Sequence, residues 1–174
     1  MQDPMDILFD NATLTAKIAE MARQIEEDYE DEPVLLLGVL KGSLHFLSDL
    51  GRHLRLDTQI DFIQTSSYQG TRETTGVVKI VKDIETNLAG LNVIIVEDIV
   101  DTGTTLNHLR ELLSLRNPKS LRVAALLSKP AARRVETPVE YVGFEIPNEF
   151  VVGYGLDYAE RYRNLPYIAI LREE

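Results

Sequence analysis

The sequence predicts an α/β fold, a mostly parallel twisted sheet flanked by helices, and three observations lead there. Apolar runs without polar alternation occur at residues 34–40 and 93–96, the pattern of strands buried on both faces, and 121–127 is a further strand candidate. After the first two runs comes a small-residue turn and then leucines at helical spacing: Leu44, Leu47, Leu50 and Leu54 in one case, Leu106, Leu109, Leu112 and Leu113 in the other. Strands that alternate with helices connect in parallel, and such a sheet has to be covered on both faces.

Taken in order, the first helix is expected over 13–28, where Leu14, Ile18, Met21 and Ile25 form one apolar stripe. The acidic run after it, Glu26, Glu27, Asp28, Glu30, Asp31 and Glu32, reads as a solvated exit into the turn at Pro33 and is assigned no function. Residues 58–65 alternate Ile60 and Phe62 against Asp61 and Ile63, and 77–81 form a further β-rich run. Between them, 66–76 is polar, aperiodic and carries Gly70 and Gly76, which suits a lid. Later strands are expected at 139–144 and 167–171. One domain is expected over 1–174, with a core at about 33–128 and a small hood from 129–167 plus the N-terminal segment.

Composition narrows the function. The 44% hydrophobic and 26% charged content is that of an ordinary globular chain. No apolar run approaches the roughly 18 residues of a membrane span. The N-terminus MQDPMDILFD shows no basic segment followed by an apolar stretch, and cysteine is absent, so no secretory leader or disulfide framework is expected; both suit the cytoplasm. A net charge of −10, from 18 basic and 28 acidic residues, argues against a nucleic-acid partner.

The most informative stretch is VIIVEDIVDTGTT, residues 93–105. A strand-to-helix turn leaves the amides of Thr102, Gly103, Thr104 and Thr105 without intrahelical partners at the positive end of the helix dipole, where they suit a phosphate. The Glu97 and Asp98 carboxylates are fitted to accept from vicinal hydroxyls or to bind a divalent metal, and Asp101 is left for chemistry. Walker and dinucleotide fingerprints are both lacking, since the lone GxG at Gly153 and Gly155 has no third glycine.

This stretch resembles the phosphoribosyl pyrophosphate (PRPP) motif of the type I phosphoribosyltransferases. GVLKGSLHF (38–46) resembles the pyrophosphate loop of the hypoxanthine-guanine branch, in which the peptide corresponding to Leu40–Lys41 can be cis. SKPAARR (128–134) and FVVGYGLDYAERYRNLPY (150–167) resemble its purine-binding and closing elements. The resemblance implies transfer of 5-phosphoribosyl from PRPP to N9 of hypoxanthine or guanine in purine salvage, with Mg2+. By position Asp101 is the acid/base at N7. Glu97 and Asp98 hold the ribose, and Thr102, Gly103, Thr104 and Thr105 the 5′-phosphate. Lys41, Gly42 and Arg163 take pyrophosphate, while Phe150 stacks on the purine, Val151 meets its edge and Lys129 donates to O6. Glu97, Asp98 and Asp157 are the metal ligands, and Ser67 and Tyr68 open the lid. The family also implies a homodimer or homotetramer. A xanthine-preferring enzyme and an RNA-binding regulator on the same fold are the alternatives.

Overall fold

The computed structural model describes residues 5–67 and 78–172. In chain order the elements are β1 (Met5–Phe9), α1 (Asn11–Tyr29), β2 (Val34–Leu40), α2 (Leu44–His53), β3 (Thr58–Ser67), β4 (Val78–Lys82), β5 (Asn92–Val100), α3 (Thr104–Ser114), β6 (Ser120–Ser128), β7 (Tyr141–Glu145), β8 (Val151–Val152) and β9 (Ile168–Leu171), with a short 3-10 turn at Pro130–Ala132. Six strands form one sheet in the order β4-β3-β2-β5-β6-β7, and β1, β9 and β8 form a second, three-stranded one. In the large sheet β2 runs parallel to β3, from Val34↔Thr58 to Leu40↔Gln64, and to β5, from Leu35↔Val93 to Gly38↔Val96. Only β4, at the edge, is antiparallel to its neighbour. The small sheet is antiparallel throughout and joins the two chain ends, as the expected hood requires.

The central strands have no polar alternation because both of their faces are buried. Leu36, Ile94, Val96, Ala124 and Leu126 pack with α1 and α2. Leu35, Leu37, Val93, Ile95, Val123 and Ala125 pack with Leu106, Leu109 and Leu113 of α3. Several sequence expectations change in detail. Leu44 is 48% exposed while Phe46 is fully buried, so the apolar stripe of α2 is Phe46, Leu47 and Leu50. In β3, Ile63 is fully buried with the cluster under α3, while Ile60, on the opposite face, is 51% exposed. The strand expected over 93–96 continues to Val100, so Glu97 and Asp98 belong to β5 and not to a turn. Strand β1 was not expected. Ser67 ends β3, paired with Val78; Tyr68 and the remainder of the expected lid through Gly76 lie outside the described residues.

The acidic run after α1 does more than solvate a turn. Glu26 accepts from the Arg55 amide (2.7 Å), Asp28 from the Tyr141 hydroxyl (2.7 Å), and Glu32 pairs with Lys119 (2.8 Å) while accepting from the Asn92 amide group (2.8 Å). These contacts join the exit of α1 to the α2–β3 loop, β5, β7 and the loop before β6, a long-range role that no local pattern reveals.

Asp61 ties the β4–β5 connection to β3. One carboxylate oxygen accepts from the Phe62 amide (2.7 Å); the other accepts from the Glu85 and Thr86 amides (3.1 and 2.9 Å) and the Thr86 hydroxyl (2.7 Å). Burial opposes ionisation, but these hydrogen bonds outweigh it and hold the carboxyl below its ordinary value of 3.8. A depressed acid contributes stability above its unfolded pKa and loses it as pH falls through the folded value. Asp61→Ala is therefore expected to lose about 1–3 kcal/mol at pH 7. Urea denaturation of both proteins across pH should show that gap constant above about pH 5 and closing below about pH 4.

Candidate active site

The adjacent parallel strands β2 and β5 end side by side, and each is followed by a small-residue turn and a helix. At the end of β2 the Leu40–Lys41 peptide is cis. Ser43, fully buried, donates from its hydroxyl to the Val39 carbonyl (2.8 Å) and fixes the entry to α2. Gly42 is confined from two directions. A β-carbon there would overlap the Asp98 carboxylate, and one on Gly155 would overlap the Gly42 carbonyl. Glycine at both positions lets β2, β5 and the C-terminal segment approach this closely.

Because successive side chains of a strand point to opposite faces, Glu97 and Asp98 divide the site between them. Glu97 lines a cavity of about 240 Å3 together with Val39, Val100, Asp101, Thr102, Gly103, Thr105 and Leu106. Asp98 faces Gly42 and lies within the electrostatic reach of Arg163 and Asp157. Both carboxylates keep some solvent contact, yet they are densely surrounded by protein. Burial, then the neighbouring Asp98, pushes Glu97 well above the usual carboxylate range. Burial also pushes Asp98 up to about 6; hydrogen bonds from the Ile99 amide and its own amide and the charge of Arg163 offset this in part, while Asp157 adds to it. Carboxylates whose charged forms burial disfavours gain from a nearby cation or hydroxyl donor.

The turn after β5 is open to an anion. Gly103 has φ +83°, a left-handed conformation suited to glycine, and its Cα faces the Val135 carbonyl. The Thr102 and Thr104 hydroxyls bond each other (2.8 Å), and the Thr104 amide has only a 3.4 Å contact to Thr102 Oγ1. The Gly103 and Thr105 amides have no hydrogen-bond partner among the described residues. Residues 133–135 brace the turn from outside: the Arg134 and Val135 amides donate to the Thr102 carbonyl (2.9 and 3.1 Å), and Arg133 donates to the Asp101 carbonyl (3.2 Å) and to Ser128 Oγ (2.8 Å). The Asp101 carboxylate, exposed at the cavity rim, has no partner among the described residues. Arg133 had no assigned role in the sequence, since its contact with the turn exists only once β6 lies beside β5.

On the third side, the Lys129 amide bonds the Val100 carbonyl (2.9 Å), which places residue 129 beside the end of β5. The residue is 7% exposed, and no described residue accepts a hydrogen bond from its amine. Phe150 is 51% exposed and meets Tyr158 edge to face at 5.7 Å, an aromatic surface left uncovered by the core. Val151, in β8, is buried and pairs with Ile170.

The C-terminal turn brings the charged residues to the β2 loop. Arg163 donates to the Gly155 carbonyl (2.7 Å) and pairs with Asp157 (3.3 Å) and Glu160 (3.1 Å); its Nε is buried without a partner. Lys41 pairs with the other oxygen of Glu160 (3.1 Å). Tyr154 donates to the Asp49 carboxylate and fastens this segment to α2. Burial, then the bond to Asp49, drives its hydroxyl pKa upward, so it remains a donor. Glu160 and Tyr154 were both absent from the sequence-based site. They lie in the recognised 150–167 segment, but Lys41, which pairs with Glu160, and Asp49, which pairs with Tyr154, are over 100 residues away in sequence.

Among the described residues no three acidic or histidine side chains converge on one point as a metal cage. The expected trio is divided accordingly: Glu97 faces the cavity at α3, and Asp98 and Asp157 lie toward Arg163. A larger cavity of about 380 Å3, lined by Glu32, Asp57, Gln59 and Lys119 among others, opens at the amino ends of β2 and β5 and contains none of the expected residues. Ligands of parallel sheets sit at the opposite, carboxyl ends.

A phosphoribosyl transferase domain model matches residues 4–159. The chain is 49% identical over 170 residues to a hypoxanthine phosphoribosyltransferase of Escherichia coli (strain K12), covering 97% of this chain and 96% of that one. It is 45% identical over 173 residues to a hypoxanthine-guanine phosphoribosyltransferase of Streptococcus pyogenes serotype M3, covering 99% and 96%. A crystal structure of a hypoxanthine-guanine phosphoribosyltransferase from Bacillus anthracis superposes with a TM-score of 0.94 at 50% identity, covering 98% of this chain and 100% of that one. With the two βα turns, the paired carboxylates and the hood meeting at one end of the sheet, this likeness over nearly the whole length settles the family: the chain belongs to the phosphoribosyltransferases, in their hypoxanthine-guanine branch.

Proposed function

We propose that this protein transfers the 5-phosphoribosyl group of PRPP to N9 of hypoxanthine or guanine, releasing pyrophosphate and forming the purine 5′-monophosphate in purine salvage. The observation that carries the reading is the 102–105 turn, with the Gly103 and Thr105 amides unpartnered among the described residues, in the same cavity as Glu97 and Asp101. Those amides hold the 5′-phosphate, and Glu97 accepts from the ribose hydroxyls; both groups position the anomeric carbon before reaction. Lys41, the Gly42 backbone and Arg163 receive pyrophosphate as charge accumulates on its oxygens. Asp101 exchanges a proton with N7 of the base and thereby favours N9 as the nucleophile. Phe150 supplies a stacking face, the Val151 backbone meets the purine edge, and Lys129 donates to O6.

Magnesium fits this donor set. A buried carboxylate pushed up to about 6 at Asp98 gains from a nearby cation, and the absence of a protein cage among the described residues suits an ion that arrives with substrate oxygens and keeps few protein ligands. Asp98 and Asp157, with Glu97 through the ribose side, are the residues that would hold it; when bound it supplies charge neutralisation for the departing pyrophosphate.

Ultraviolet-monitored nucleotide formation from PRPP and magnesium, with hypoxanthine, guanine, xanthine and adenine in parallel, tests the reading. Turnover of the 6-oxopurines is expected, with Asp101→Asn lowering kcat by about 10²–10⁴-fold while leaving PRPP affinity within a few-fold. PRPP binding without turnover of any base would sink the enzyme reading in favour of a nucleotide-responsive regulator.

Lys129 should set base selectivity. Leaving a buried charged donor opposite the adenine amino group costs more than about 1–3 kcal/mol, so the preference for hypoxanthine over adenine should fall by tenfold to several hundredfold in Lys129→Gln. Comparison of kcat/KM for the two bases measures it, and an unchanged ratio would remove Lys129 from base recognition.

A further inference from the structure

The carboxylate of Glu160 touches both cations assigned to pyrophosphate, one oxygen on each: Oε2 is 3.1 Å from the Lys41 amine and Oε1 is 3.1 Å from Arg163 Nη2. These cations come from opposite ends of the chain and from different structural units, the β2 loop and the C-terminal turn. A bridging carboxylate there presents two oxygens to the same two donors that a pyrophosphate would engage.

The backbone around Glu160 is organised to hold it in this position. Ala159, Glu160 and Tyr162 all have left-handed φ values, +51°, +63° and +78°, unusual for residues with side chains. The turn is closed by reciprocal amide–carbonyl bonds between Tyr158 and Arg161 (3.1 and 3.0 Å), and the Glu160 amide donates to Asp157 Oδ2 (2.9 Å). Little apolar burial rewards this shape, since Tyr158 is 53% exposed and Glu160 is also exposed. What the shape achieves is the placement of one carboxylate between two separated cations. Lys41 and Arg163, through their hydrogen bonds and charges, hold Glu160 below its usual carboxylate range.

We propose that Glu160 is an internal stand-in for the leaving group: its carboxylate occupies Lys41 and Arg163 before PRPP binds, yields them to pyrophosphate, and reclaims them as the product leaves. The proposal rests on the assignment of Lys41 and Arg163 to pyrophosphate. Anion binding then becomes an exchange of one set of ion pairs for another. The cations remain oriented between turnovers, while pyrophosphate is held less tightly than the same cations would hold it without a competitor. Glu160 is a positioning residue and touches no reacting atom. Exposed pairs are individually weak, so the effect is moderate.

The test is calorimetric binding of pyrophosphate with magnesium to the wild type, Glu160→Gln, Lys41→Gln, the double variant and Arg163→Gln, with pyrophosphate dissociation followed by stopped flow. Glu160→Gln should tighten binding by about three- to tenfold and slow dissociation. The tightening should shrink in the Lys41→Gln background, a coupling that a structural role for Glu160 would not produce. Glu160→Asp, which keeps the charge on a shorter stem, should fall between wild type and Glu160→Gln. Unchanged or weaker binding in Glu160→Gln, in a variant that keeps the wild-type melting temperature, overturns the stand-in role alone. If Lys41→Gln and Arg163→Gln both bind pyrophosphate like the wild type, the pyrophosphate assignment fails, and the stand-in role fails with it.

Discussion

The rest of the site depends on one constraint, the extension of a fully buried strand into two consecutive carboxylates. Strand β5 is apolar through Val96 and continues in register with β6 to Val100. The backbone ladder therefore determines where Glu97 and Asp98 point, leaving no freedom for a flexible turn to choose. Alternation sends one charge toward α3 and the other toward the β2 loop. Each then needs its own surroundings. On the α3 side these are the open amides of residues 102–105; on the other they are a glycine without a β-carbon, an arginine and a second aspartate. The raised pKa values of the two acids express the same constraint as energy, because burial of adjacent carboxylates favours their protonated forms.

The hood is where long-range packing completes what β2 and β5 begin. Its sheet joins the N-terminal strand to the last strand of the chain, and Tyr154 fastens the intervening segment to Asp49 of α2. Gly155 then lies against Gly42, and Arg163 reaches back to the Gly155 carbonyl. Movement of the C-terminal segment relative to the β2 loop would therefore disturb the aromatic face at Phe150 and the cation pair together. The surfaces proposed for the base and for the leaving group thus share one mechanical support, which would suit a reaction in which both must be in place before the sugar–phosphate bond breaks.

Much of this was readable in the linear sequence, and the divide between what was and was not is physical. Strands buried on both faces advertise themselves by unbroken apolar runs, and βα turns by glycine and threonine after such a run, so the sheet and the 102–105 turn were legible. The positions of Lys129, Phe150 and Arg163 came from resemblance over ordered segments. The close approach of Gly42 to the Asp98 carboxylate and of Gly155 to the Gly42 carbonyl was not legible, because it depends on three segments meeting in space. The acidic run after α1 misled for a similar reason: locally it looks solvated, whereas Asp28 and Glu32 find tyrosine, asparagine and basic partners on β5, β6, β7 and the loop before β6. Likewise, the burial of Ile63 depends on packing against the α3-side cluster, which the strand's own pattern does not encode.

The apparent conflict between a net charge of −10 and a polyanionic substrate is resolved by scale. Charge-based attraction over long distances is screened within about 10 Å at ordinary ionic strength, so the sign of the whole surface governs encounter more than retention. Retention is decided within the first contact shell, where backbone amides are neutral donors that cost the protein no self-repulsion. The proposed site would rely on them at residues 102–105 and confine formal positive charge to a few side chains. Lys41 and Arg163 are themselves held against Glu160, and Arg163 against Asp157 as well. On the proposed assignment, an acidic chain built this way would recognise phosphate through geometry, with donors aimed by glycine turns and strand ends rather than by a broad basic surface.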